Sequence, residues 1–193
     1  VAPDGTWLIA EHSGHRVRAV TSDGTVSTTA GTGEKGSRDG YGEVASFGYP
    51  CGIAVSEHYV VFVAQSVGPC VRCLERDHSG RWMVSTIFIQ DLCRCCLHPY
   101  FKLEAIGADR ESNAVIATSG RAHVLRVPAN GGKLKVLQPP RAPHMTPSGI
   151  TVATNGDIYY TDRQRHRIYR IAANDGDTTR VAGLGLSGCM DGP

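Results

Sequence analysis

The chain contains no apolar run approaching the ~20 residues that a membrane-spanning helix needs, so no membrane segment is expected. No stretch repeats its apolar residues at helical spacing, which argues against helical bundles and against folds that alternate strand and helix. An excess of one charge is also missing: 20% of the residues are charged and the formal net charge is +2. That balance offers no global attraction to nucleic acid or to anionic membranes. No leader-like segment is visible, but the chain opens on Val1 rather than Met, so localisation stays unknown. No Ser/His/Asp set or Cys/His pair stands out as a nucleophile with its base, and no catalytic residue is assigned.

Repetition is what the chain does have. AGTGEKGSRDG occupies residues 30–40, and AGLGLSGCMDG occupies residues 182–192. Upstream of each, WLIAEHSGHRVRAV (7–20) lies over IYYTDRQRHRIYRI (158–171) without a gap. Two weaker copies lie between them, VFVAQSVGPCVRCL (61–74) and VIATSGRAHVLRV (115–127). Self-similarity at a fixed spacing denotes a repeat architecture. The unit is 44 to 54 residues long and occurs four times.

Each unit reads as four short runs joined by turns. Val17 and Ala19 against Arg16 and Arg18, and Ile168 against Arg167 and Tyr169, alternate with period two. That is the mark of a strand with one buried face. Asp23-Gly24, Ser79-Gly80, Gly131-Gly132 and Asp175-Gly176 mark the turn between the third and fourth runs, since such pairs supply the positive φ of tight hairpins. Asp4-Gly5 and Asn155-Gly156 mark the turn between the first and second. Four antiparallel strands per unit of this length make a propeller blade. The expected fold is an all-β propeller in one region, 1–193, with blades near 1–50, 51–103, 104–148 and 149–193. The innermost strands are announced by Pro50 with Gly52-Ile53-Ala54-Val55 and by Pro147 with Gly149-Ile150-Thr151-Val152.

These residues carry a family pattern. An apolar run, an acid, a three-residue spacer and His-Arg appear as Glu11 with His15-Arg16-Val17, and again as Asp162 with His166-Arg167-Ile168. The Gly-rich loop and then Phe47, Pro50 and Gly52 follow. Together they resemble the repeats of the NHL β-propeller family over the whole chain. The likeness is strong in units one and four and weaker in two and three, where Pro69-Cys70 and Ala122-His123 replace His-Arg. NHL propellers commonly have six blades, so the resemblance implies a larger propeller, with open blade edges here that invite self-association. It also implies a non-catalytic scaffold that binds protein through the loops 32–49, 90–101 and 138–148, within a larger protein.

The loops between second and third strands set His12, His15, Arg16, Arg163, Arg165, His166 and Arg167 on one rim. In some NHL proteins such a rim grips single-stranded RNA. Recognition of that kind draws on aromatic stacking, and these loops contain no aromatic, so RNA ranks behind protein as the expected partner. The alternative is an enzyme. Amidating lyases that resemble NHL propellers hold zinc through histidines about the axis, with calcium nearby. Here His58, His98, His123 and His144 fall in turns, connections or a third strand, so no metal or cofactor is expected. Glu104, set level with Ile53 and Ile150 on an innermost strand, is the one residue suggesting a lactonase-type calcium site.

The chain has seven cysteines. Cys70, Cys73, Cys93, Cys95 and Cys96, with His98, could be counted as a zinc set. However, residues three apart on a strand point to opposite faces, which leaves disulfides to the 93–96 loop or plain buried thiols. Gly31-Thr32-Gly33-Glu34-Lys35-Gly36 scans as a phosphate loop, but that motif requires a following helix. A connection between blades is expected instead, with Asp39 capping its own loop amides.

Overall fold

A computed structural model of the chain describes residues 1–66, 70–88, 103–118, 124–138, 147–174 and 176–188. Every regular element among them is a strand, and no helix is long and apolar enough to cross a membrane. The strands form four antiparallel sheets in chain order. Sheet one holds β1 (Trp7–Glu11), β2 (Arg16–Val20) and β3 (Val26–Ala30). Sheet two runs outward through β5 (Pro50–Val55), β6 (Val61–Gln65), β7 (Cys70–Arg76) and β8 (Trp82–Phe88), and ends on β4 (Gly40–Tyr41). Sheet three is β9 (Leu103–Ala108), β10 (Asn113–Thr118), β11 (Val124–Pro128) and β12 (Lys135–Gln138). Sheet four is β13 (Pro147–Val152), β14 (Ile158–Asp162), β15 (Arg167–Ile171) and β16 (Thr178–Ala182).

Apart from β4, which comes from the segment after β3 and joins sheet two, each sheet is built from consecutive strands, and together they build the all-β propeller. Period-two alternation gives each sheet two apolar faces, and each face buries itself against the next sheet. Leu8 and Val17 of sheet one meet Val61, Val63 and Leu74 of sheet two. Phe62 and Val71, on the opposite side of sheet two, meet Ile106, Ala114 and Ile116 of sheet three. Val115 and Val124 then meet Ile158, Tyr160 and Ile171 of sheet four. The sheets stack through three such junctions, with β5, β9 and β13 as neighbours along the inner edge.

The turn between first and second strands shows how strictly the repeat holds its backbone. Gly5 and Gly156 take φ of 85° and 87° there. Tyr59 and Ser112 occupy the same position in units two and three, and keep φ of 63° and 56° without the freedom of glycine. A left-handed residue with a Cβ costs about 1–2 kcal/mol. Tyr59 offsets that cost: its hydroxyl donates to Asp4 at 2.9 Å, and its ring packs 5.7 Å from that of Trp82.

The segment between sheets one and two departs from a simple loop. Its middle forms β4, with Gly40 opposite Val84 and Tyr41 opposite Met83 on the outer edge of β8. Nor does Asp39 cap its own loop amides as expected. Its carboxylate accepts from Arg72 at 2.9 Å and from the Thr86 hydroxyl at 2.7 Å. The reason is Arg72, whose side chain is fully buried on β7 and whose charge must be met. Arg72 also donates to the carbonyls of Ser46 (2.6 Å) and Arg38 (2.8 Å) and lies over the Phe47 ring. Burial disfavours its charged form, and the Asp39 carboxylate opposes that effect.

Two carbonyls still hold Arg72 when Asp39 is neutralised, so Asp39→Asn is expected to cost about 1 kcal/mol. Arg72→Ala removes the buried stem and orphans both carbonyls, for about 3 kcal/mol. Urea titration measures both. Equal losses would mean that the carboxylate, rather than the stem and carbonyls, carries the contact.

Candidate functional site

Antiparallel strands alternate in direction, so the described links from β1 to β2 and from β14 to β15, and the connection from β3 to β5, emerge at one end of the stack. On the described part of this loop end, the rim residues fall into two groups. His12, His15 and Arg16 belong to sheet one, whereas Arg163, Arg165, His166 and Arg167 belong to sheet four, with two sheets between them. They make two basic patches rather than one.

Within each group the His-Arg pair is engaged with the Gly-rich loop of its own unit. His15 and His166 both adopt a left-handed backbone, with φ of 53° and 50°. The Arg16 guanidinium donates to the Thr32 carbonyl at 3.2 Å. A Cβ added to Gly31 would lie 2.6 Å from the His15 carbonyl, and one added to Gly185 would lie 2.8 Å from the Arg167 guanidinium. Gly33 and Gly183 are crowded in the same way by Arg16 and by the His166 carbonyl. The repeated AGxG therefore leaves side-chain volume for His-Arg to fill. Arg165 pairs with Asp162 at 3.7 Å, whereas His12, Arg163 and His166 are exposed.

A cluster invisible in the sequence forms beside the first group. Tyr49 arrives from the connection between sheets and packs its ring 5.1 Å from that of His12 and 4.7 Å from that of His15. Its own backbone is left-handed, with φ of 54°, and its amide donates to His15 Nδ1 at 3.3 Å. The exposed Lys35 ammonium sits 5.0 Å from the ring centroid. The loop end thus does present an aromatic next to its basic groups. Its position between Gly48 and Pro50 was the only sequence hint.

The inner strands carry a second feature. In β5, β9 and β13 the ladder skips one residue at its start: Pro50 and Gly52, Leu103 and Ala105, Pro147 and Gly149 are paired across consecutive positions of the neighbouring strand. The residues left over are Cys51, Glu104 and Ser148, and all three are exposed. Glu104 is therefore level with Cys51 and Ser148, not with Ile53 and Ile150. Bulges of this kind re-aim a side chain and frequently sit beside functional sites. Ser148 shares a hydrogen bond with Thr161 at 3.0 Å, and the Cys51 thiol lies 3.5 Å from the Ala64 carbonyl. Among the described residues no three His, Cys, Asp or Glu side chains gather as metal ligands. His58 is in the turn between β5 and β6, away from the loop end.

Cys70 and Cys73 are buried thiols on β7. Cys73 belongs to the core toward sheet three, and burial pushes its pKa up to about 12. Cys70 accepts from the Gln65 amide at 3.2 Å, and burial also raises its pKa. Cys93, Cys95, Cys96, His98, His123 and His144 lie outside the described residues, as do most of the loops 90–101 and 138–148.

No protein-family model matches the chain, and no curated protein matches it in sequence. Solved structures do. Virginiamycin B lyase from Staphylococcus aureus superposes with a TM-score of 0.68 at 16% identity, over 95% of this chain and 54% of that one. Its catalytically inactive form with quinupristin gives 0.66 at 17% identity, over 93% and 52%. A streptogramin B lyase gives 0.59 at 14% identity, over 94% and 66%. The chain spans about half the length of the first two. Likeness at this identity defines a fold, and the chain is a β-propeller.

Gly31→Ala and Gly183→Ala are each expected to cost about 2 kcal/mol or more, through left-handed strain and backbone clash. Matching losses in thermal or urea unfolding would bear out the shared loop geometry; a neutral change at either site would refute it. Under native conditions iodoacetamide should modify Cys51 well before Cys70 and Cys73, since a buried protonated thiol reacts slowly. Mass mapping of the peptides gives the order, and early labelling of Cys73 would contradict its burial.

Proposed function

We propose that the chain is a non-catalytic, NHL-type propeller scaffold that binds an acidic protein segment at its loop end. The observation that carries this reading is the cluster of Tyr49, His12, His15 and Lys35, packed ring to ring beside Arg16. A rigid sheet stack holds these groups in place, two of them through left-handed backbone at His15 and Tyr49. Preorganised aromatic and basic groups are what a binding hot spot uses. The NHL assignment draws on the His-Arg and Gly-rich motifs and on their shared geometry in units one and four.

A propeller enzyme is the second reading. It is favoured by the exposed bulge residues Cys51, Glu104 and Ser148 and by the lyases among the structural neighbours. In that case Glu104 would act as the general base near the inner edge.

Selection of a random peptide library on the folded chain, followed by fluorescence anisotropy, separates these readings. Acidic peptides should be enriched, and Tyr49→Ala or Lys35→Ala should weaken them about tenfold, with Glu104→Gln unchanged. Binding of oligouridylate with a steep salt dependence, and no enriched peptide, would replace protein with RNA as the partner. Turnover of quinupristin, the compound bound in one of the lyase neighbours, that is lost in Glu104→Gln would replace the scaffold with the enzyme.

A further inference from the structure

At the end of the stack opposite the loops, the three junctions between sheets are closed in different ways. In the first, Tyr59 fills the space from the turn between β5 and β6. Its ring lies 5.7 Å from that of Trp82 and 5.5 Å from the Arg76 guanidinium, and packs on the core between sheets one and two. In the second, the Ser112 hydroxyl meets that of Ser56 at 3.0 Å, and Leu134 packs on the core. In the third, the repeat sets Gly156 level with Tyr59 and Ala173 level with Arg76. Gly156 keeps the left-handed backbone of Tyr59, with φ of 87° against 63°. A Cβ added to it would lie 3.1 Å from the Ala173 Cβ, so a side chain there would point as Tyr59 points. Neither residue supplies that volume, and a cavity of about 220 Å³ remains between sheets three and four.

The floor of this cavity is apolar, made by Ile158, Ile171 and Leu137. Its rim is cationic. Arg126 and Lys135 both line it, and they stand directly opposite each other on β11 and β12. Like charges in that relation repel. The carboxylates nearby are already engaged: Asp109 lies 2.9 Å from Arg126, and Asp157 lies 2.7 Å from Arg170. Among the described residues no carboxylate pairs with Lys135.

We propose that this cavity binds a small organic anion, an aromatic ring that carries a carboxylate on a short arm. The ring takes the place that Tyr59 fills in the first junction, over Ile158 and Ile171. An apolar cavity of about 150 Å³ admits benzene, so the larger volume here holds a ring and its acid arm. Tyr59 turns its polar end to the Asp4 carboxylate. In the third junction the polar end meets Lys135 and Arg126 instead, and two cations select a carboxylate over a phenol. The site shares no residue with the Tyr49 cluster, and it stands whether or not the loop end binds protein.

Phenylacetate, phenylacetamide and acetate are the probes, titrated into the 193-residue chain and followed by ligand-observed NMR. Phenylacetate should bind about tenfold more tightly than either of the others, since one lacks the charge and the other lacks the ring. Lys135→Ala should weaken phenylacetate about tenfold. Gly156→Tyr sets the chain's own ring in the cavity and should abolish binding. Far-UV circular dichroism checks that this variant keeps its sheet content; if it does not, Ala173→Leu narrows the same space in its place. A chain that takes up no phenylacetate at millimolar concentration overturns the proposal. So does phenylacetamide or acetate binding as tightly as phenylacetate, or binding left intact by Lys135→Ala or by the cavity-filling variant.

Discussion

Apolar sheet face against apolar sheet face is the contact on which everything else in this chain depends. A lone four-stranded sheet with alternating side chains buries only what its own curvature hides. Stacked, β6 and β7 are buried on both sides and read as nearly unbroken apolar runs. The strands are short, and the hydrogen bonds between them are local. Long-range order therefore comes from side chains such as Phe62 and Val71, which must find Ile106 and Ile116 on the next sheet.

That scaffold frees the loop end for variation. Where units one and four keep His-Arg and AGxG, loop geometry is determined by a guanidinium and a carbonyl lying where side chains would otherwise be. Units two and three have lost His-Arg, and the second relies on other devices: the Gln65 amide bridging to Cys70, and Arg72 reaching the incoming connection. A scaffold that tolerates such exchanges can carry different chemistry on each blade. The bulge position illustrates this, with a thiol, a carboxylate and a hydroxyl on successive inner strands.

Much of the fold was legible because hairpins announce themselves locally. Alternation and Asp-Gly or Asn-Gly pairs delimit the strands, and the repeat lets the clear units guide the worn ones. Glu104 was misplaced by two residues because unit three has Leu103-Glu104-Ala105 where the others have Pro-x-Gly, so its anchor was gone; only the strand ladder reveals the shared bulge. The Tyr49 cluster and the Arg72–Asp39 pair escaped for a different reason. Each joins residues more than thirty positions apart, at a distance where neither composition nor period carries information.

The Arg72 contact also bears on how the sheets find their order. Several faces in this chain share nearly the same apolar pattern, and apolar packing alone discriminates poorly among them. Sheet two differs, because it buries a cation whose partners are carbonyls and a carboxylate of the 38–46 segment. That segment also accepts from the Gly31 and Thr32 amides at the end of sheet one, so a stack that displaced it would strand the guanidinium in a dry interior. The first junction is thereby keyed by a buried charge as well as by apolar packing.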